Sequence, residues 1–202
     1  MRGRGSAARR AGGAIAAAFL FAGCRAEQAR VDEPAAVSRT SSAAAQRDCG
    51  PPVIDSAGVG GLRIGAPVDS VKARCTVLRD TTERRAEGMP ARLLAVRVGT
   101  DTLEAEVADG RVWRIEVTQR GVRTADSLGV GSPLAALLGI PGLRGAVGEG
   151  ALYVMSPSRC GLSFQLSTAE LRADGWSAER LRTLPPSTVV TRVLVVGCPV
   201  RD

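Results

Sequence analysis

The sequence predicts an α+β fold built of two unequal repeats, each a short helix packed on an antiparallel β-meander, in one continuous domain. Three observations carry that prediction. A ten-residue pattern occurs twice, offset by 66: Leu62-Arg63-Ile64-Gly65-Ala66-Pro67-Val68-Asp69-Ser70-Val71 and Leu128-Gly129-Val130-Gly131-Ser132-Pro133-Leu134-Ala135-Ala136-Leu137. An internal repeat is read first, because it fixes the unit that must bury its own apolar face. After the first copy, successive runs alternate apolar and polar residues with the period of a half-buried strand. Finally, Thr188 to Val196 is the most β-branched run of the chain and predicts a central strand.

In both copies an extended piece ends at glycine and a helix follows. Pro67 and Pro133 fit the first helical position, where a missing N–H costs nothing. Ser132 is placed to cap the second helix. Val68, Val71 and Cys75 share one face of the first helix; Leu134, Leu137 and Leu138 share one face of the second. Gly58-Val59-Gly60-Gly61, ahead of the first copy, reads as a flexible lead-in and lacks the Lys-Ser/Thr of a phosphate loop.

A polar loop is expected over Asp80 to Pro90, followed by three strands. Leu94, Val96 and Val98 mark the first, Leu103, Ala105 and Val107 the second, Trp113, Ile115 and Val117 the third. A two-residue turn at Asp109-Gly110 would pair Val107 with Val112 and set Trp113 opposite Glu106, splitting the apolar face. The expected turn is therefore the three-residue Ala108-Asp109-Gly110, which pairs Ala105 with Trp113 and puts that ring in the core. In the second copy the helix stops near Leu138-Gly139-Ile140-Pro141-Gly142. Strands are expected over Leu152-Tyr153-Val154 and Cys160 to Leu166, then a short helix from an N-cap at Ser177 to about Thr183. Laying Thr188–Val196 antiparallel to Cys160–Leu166 brings Cys198 opposite Cys160.

The N-terminus reads as an address. Arg2, Arg4, Arg9 and Arg10 precede an apolar run from Ala11 to Ala22 that is about half of the ~20 residues a spanning helix needs. Phe21-Ala22-Gly23-Cys24 resembles a bacterial lipobox, with Phe21 in place of the usual leucine. The resemblance implies cleavage before Cys24, diacylglycerol on its sulfur and an acyl chain such as palmitate on its nitrogen, enough for stable anchoring. Arg25 follows, where lipoproteins kept at the inner membrane of enteric-type bacteria carry Asp, so the expected address is the periplasmic side of the outer membrane. Residues 1–23 are then a signal peptide, and 24–48 a lipidated N-terminus and flexible tether. Residues 49–202 are the globular domain, with repeats over about 58–120 and 124–198.

Composition narrows the function. The net charge of +7 loses the four arginines before Cys24 and leaves +3. With 3% aromatic residues, the mature chain does not read as a nucleic-acid binder. Lipidation of Cys24 leaves Cys49, Cys75, Cys160 and Cys198, an even set that suits an oxidising compartment. Four cysteines allow three pairings; Cys49–Cys75 and Cys160–Cys198 are favoured, since Cys75 points from its helix to the core that the Cys49 segment enters. With no histidine and no C-x-x-C, neither a metal site nor a His-based triad is expected. Ser70 and Lys72 do not face each other on a helix, so they form no dyad. No cofactor is expected.

A second resemblance rests on Ile64-Gly65 before a helix, a meander with a late Trp113, and Leu137-Leu138-Gly139-Ile140-Pro141. This arrangement is similar to the helix-plus-sheet repeats of the small lipoproteins of outer-membrane barrel assembly, and to the tandem-repeat β-lactamase inhibitor proteins. It implies a non-enzymatic, membrane-anchored binding or scaffold module of the cell envelope, or else a secreted inhibitor-like module that caps an enzyme through its sheet face. The least favoured reading is a hydrolase using Glu104, Glu106 and Glu116, which otherwise form a solvated row laced with Arg97 and Arg114. Arg84 and Arg85 are candidates for anionic headgroups. Trp176 is either an exposed aromatic anchor for a partner or a helix-start staple against the core.

Overall fold

The alternating runs become strands, and there are more strands than the patterns announced. The computed structural model describes residues 48–84, 89–171 and 175–198. The expected signal peptide, Cys24, the expected tether up to residue 47 and Arg85 lie outside the described residues. In chain order the elements are β1 (Val53–Asp55), β2 (Gly58–Val59), β3 (Leu62–Arg63), α1 (Val68–Arg74), β4 (Val77–Arg84), β5 (Pro90–Val98), β6 (Asp101–Ala108), β7 (Arg111–Val117) and β8 (Arg123–Thr124). Then follow α2 (Leu134–Leu137), β9 (Arg144–Gly148), β10 (Ala151–Met155), a 3-10 turn (Pro157–Arg159), β11 (Leu162–Leu166), α3 (Ala178–Leu181) and β12 (Val190–Val195). The chain is α+β and mainly β.

Eight strands form one sheet in the order β4-β5-β6-β7-β12-β11-β10-β9, and four short strands form a second, β3-β2-β1-β8. The glycine-rich lead-in is thus partly strand: Gly58 and Val59 pair with Arg63 and Leu62. The expected loop from Asp80 is instead the second half of β4, paired with β5 from Val77–Val96 to Arg84–Pro90. Thr81, Thr82 and the charged residues around them suit a solvent-exposed edge, which is why they read as loop.

The two copies of the repeated pattern dock on the sheet in the same way. Gly65 N–H donates to Val112 O, Val112 N–H to Ala66 O, and Val68 N–H to Gly110 O. In the second copy Gly131 donates to Val190, Val190 to Ser132, and Leu134 to Thr188. Gly65 and Gly131 stand at φ +77° and +85°, a conformation that disfavours any side chain. Ser132 does not cap α2; its hydroxyl accepts from Gly129 N–H and Arg123 instead. The strands on which the copies dock, β7 and β12, pair antiparallel through Ile115–Val195, Glu116–Leu194 and Val117–Val193.

The Asp109-Gly110 turn corrects the expected register. Ala108 pairs with Arg111 and Val107 with Val112, so the turn has two residues, both at positive φ (50° and 72°). That matches the turn type that Asp-Gly favours in hairpins. The apolar face stays whole because β7 slips by one residue between Val112 and Arg114, opposite Val107 and Glu106. The residue extruded is Trp113, which is 41% exposed rather than in the core. The bulge does the work assigned to a longer turn.

One face of the large sheet carries Leu94, Val96, Leu103, Ala105, Ile115, Val117, Val193 and Phe164, packed with Val68 and Val71 of α1, Leu134 and Leu137 of α2 and Leu181 of α3. Cys49–Cys75 and Cys160–Cys198 are both bonded, with Cα atoms 4.5 and 5.1 Å apart. Two disulfides in one chain indicate an oxidising, extracytoplasmic setting. No described helix is long and apolar enough to cross a membrane.

Candidate functional site

The other face of the large sheet carries no described helix, and the register defines its residues. One cross-strand row runs Arg79, Ala95, Glu104, Glu116, Leu194, Ser163, Met155, Arg144 across all eight strands. The neighbouring row in the second half is Arg192, Gln165, Tyr153, Ala146. Ala91, Leu93, Tyr153 and Leu194 on this face are buried, yet they stand outside the helix-side core.

The three glutamates of β6 and β7 are ion-paired. Arg79 lies 3.5 Å from Glu104, Arg114 2.8 Å from Glu106, and Arg192 3.1 Å from Glu116. Arg114 thus laces this row as expected, whereas Arg97 forms none of these pairs; Arg79 and Arg192, from strands beyond the meander, supply the other charges. Cross-strand pairs of this kind are worth up to about 1 kcal/mol each.

Arg114 also reaches Glu149, at 2.5 Å, and lies 5.0 Å above the Trp113 ring. Glu149 sits in the turn between β9 and β10, near the opposite corner of the face. With strands about 4.8 Å apart and about 3.3 Å per residue, a flat sheet would separate the two backbones by roughly 25 Å or more. The sheet therefore coils, and the β9–β10 turn leans over the face. Glu149 is at φ +49°, a region that non-glycine residues enter at a cost. Burial opposes the charge on Arg114, but hydrogen bonding to Glu149 and the charges of Glu106 and Glu149 outweigh it, so its pKa is raised. Tyr153, beneath the turn, has its pKa raised by burial and by the Glu149 charge.

Two cavities open on this face and share Met155 and Ser163. One, about 230 Å³, lies under the turn against Glu149, Tyr153 and Leu194. The other, about 430 Å³, runs past Arg144 and Val196 to Arg159 and the Cys160–Cys198 disulfide. Arg159 holds Asp126 through both of its terminal nitrogens, and that bonding lowers the Asp126 pKa. Arg144 forms no ion pair among the described residues. Among the described residues, the buried Gln165 Oε1 has no hydrogen-bond partner.

A third cavity, about 560 Å³, lies where the chain enters the fold, beside Asp48, Cys49, Arg63 and Arg74. Arg63 is paired there with Asp55 at 2.7 Å.

The remaining expected site residues divide. Arg84 ends the edge strand β4 and is exposed. Trp176 is 2% exposed, which overturns its reading as an exposed anchor. It precedes the N-cap Ser177, and Leu181 lies four residues beyond that cap, the spacing of a hydrophobic staple. The ring is held between the core and Arg180, 4.9 Å from its centre. A methyl group on Gly145 would meet Trp176 Cβ at 2.7 Å, so the strand beside it needs glycine. Lys72 pairs with Asp80 at 2.7 Å. Glu149, Tyr153 and Arg144 carried no sequence signal; only the coil of the sheet and its register bring them to one face.

No protein-family model matches the chain, and no curated protein matches it significantly. In structure it is similar to the uncharacterized protein yfeY from Escherichia coli, with a TM-score of 0.51 and 20% sequence identity over 71% of this chain and 99% of that one. At that identity the likeness concerns the fold alone, and an α+β, mainly β architecture is what the two chains share.

Proposed function

We propose that the chain is an exported lipoprotein, anchored through Cys24, that serves as a binding or scaffold module of the cell envelope and presents the helix-free face of its large sheet to a partner. The observation that carries this reading is that face itself: coiled, carrying buried apolar residues outside the core, and opening into two cavities. The lipobox at Phe21–Cys24 supports the anchor, and Arg25 supports the outer membrane as its site. The ion-paired state of Glu104, Glu106 and Glu116 weighs against a carboxylate-dependent hydrolase.

The chain also reads as two unequal repeats, each a helix and a four-stranded meander, joined through their last strands. The matched hydrogen bonds of Gly65 and Gly131, and a strand order that mirrors itself about the β7–β12 seam, support that reading. The coil of the exposed face favours one alternative, a secreted inhibitor-like module that caps an enzyme.

Membrane fractionation tests the anchor. The Cys24→Ser protein is expected to leave the membrane fraction, and retention there would overturn the reading. Affinity capture from detergent-solubilised envelope separates the two roles: membrane assembly proteins are expected for a scaffold, a single soluble enzyme for an inhibitor.

A further inference from the structure

The second half of the exposed sheet face differs from the first in what it leaves unmet. In the first half, the glutamates are matched by arginines. In the second half the row passes through Leu194, Ser163 and Met155 to Arg144. The two cavities adjoin at Met155 and Ser163 and make a groove that starts under the Glu149 turn and runs past Arg144 towards Arg159 and the Cys160–Cys198 disulfide. Arg159, which lines the larger cavity, is already paired with Asp126. Among the described residues that line the groove, Arg144 is the cation left for a ligand. Along the groove, residues with hydroxyl groups, Ser163 and Tyr153, stand among the apolar Met155 and Leu194.

Resting on the proposal that this face binds a partner, we infer that the groove takes an extended apolar peptide segment ending in a carboxylate, with the carboxylate on Arg144 and the last apolar side chain over Met155 and Leu194. Charge complementarity selects the anionic end, since an anion beside an unpaired guanidinium gains charge-assisted hydrogen bonds. The polar groups along the floor select a peptide over a plain acyl chain. An alkyl tail would leave the Ser163 hydroxyl, which lines both cavities, without a partner, whereas the backbone N–H and C=O groups of a peptide can meet it. The smaller cavity, about 230 Å³, has room for about one aliphatic side chain with its backbone. The Arg114–Glu149 bond fixes the turn over that end and limits how far a ligand can enter.

The test uses the purified full-length protein and three probes: the tripeptide Ala-Leu-Leu with a free carboxylate, the same peptide as its C-terminal amide, and dodecanoate. Calorimetric titration is expected to show saturable binding of the acid, with the amide at least about tenfold weaker and dodecanoate weaker than the acid. Arg144→Ala is expected to erase the difference between acid and amide, and Arg144→Lys to restore part of it. Arg144 is an exposed edge-strand residue, so neither change removes core packing. Circular dichroism confirms the fold of each variant.

Equal binding of acid and amide, an unchanged preference in Arg144→Ala, no binding of the acid, or tighter binding of dodecanoate would each overturn the inference. The Cys24→Ser fractionation is independent of this groove. A protein that leaves the membrane yet ignores the tripeptide refutes the groove alone, and one that stays on the membrane yet binds the tripeptide refutes the anchor alone.

Discussion

The two halves of the large sheet share a plan and differ in what they show to solvent. From β4 to β7 the exposed face is a lattice of charges: Arg79 with Glu104, and Arg114 with Glu106. From β9 to β12 it is mostly uncharged, with Leu194, Ser163, Met155, Gln165 and Tyr153 at matching positions and Arg192 and Arg144 as the charges of its rows. The contrast continues behind the sheet. The first half has α1 of seven residues, with Lys72 tied to the sheet through Asp80. The second has α2 of four residues and holds the large rings, Phe164 and Trp176. On the proposed reading of this face as a binding surface, ion pairs occupy the first half and the cavities leave the second half for a partner. Polar pairs cover area without adding much stability; the rings of the second half carry the packing.

The two tryptophans give the sharpest way to break that comparison. Trp176→Ala is expected to cost about 3–5 kcal/mol in urea unfolding, since it empties a buried site. Trp113→Ala, at an exposed bulge, is expected to cost less than about 1 kcal/mol. Equal losses would refute the assignment of packing to the second half. Next in size is the bond between the halves. Glu149→Ala is expected to cost about 1–2 kcal/mol by removing an acceptor from a partly buried guanidinium. Glu149→Gly is expected to lose less, because glycine accepts the positive φ without strain. The reverse ranking, measured by thermal unfolding, would mean that the turn stores no strain.

A smaller effect concerns acid. Hydrogen bonds from Arg92 and then Lys72 hold the Asp80 carboxyl well below the usual carboxylate range. Its folded pKa is depressed, so its contribution is complete above about pH 4, the unfolded value, and fades as pH falls through the folded value. Asp80→Asn is expected to lower stability by about 1 kcal/mol at pH 7, with the gap to wild type narrowing steadily as pH falls below about 4. A gap as wide at pH 2 as at pH 7 would assign Asp80 a role other than its charge. The smallest expected effect is Arg97→Gln, within about 0.5 kcal/mol, because this arginine stands apart from the ion pairs of its half.

Much of the architecture was legible beforehand. The repeated Gly-x-Pro pattern located α1 and α2, and period-two alternation located β5, β6 and β7. Antiparallel placement of Thr188–Val196 identified both β12 and the Cys160–Cys198 bond. The strands β4 and β9 were not legible, because edge strands here are charged or glycine-bearing and alternate weakly. The candidate site was less legible still. Of its residues only Glu104, Glu106, Glu116 and Arg114 drew notice, and then as a solvated row.

What the sequence alone determined is local: where glycine must take positive φ, which residues alternate, and which cysteines are near enough to pair. What only the tertiary structure decided is the register at Asp109-Gly110 and everything that depends on it. The sequence shows that the apolar face must stay whole, but it does not say whether a longer turn or a bulge achieves this. The bulge was chosen, Trp113 moved out, and Arg114 turned toward Glu149. Meetings across four strands follow from the accumulated coil of the sheet, a sum of small rotations that no short stretch of sequence encodes.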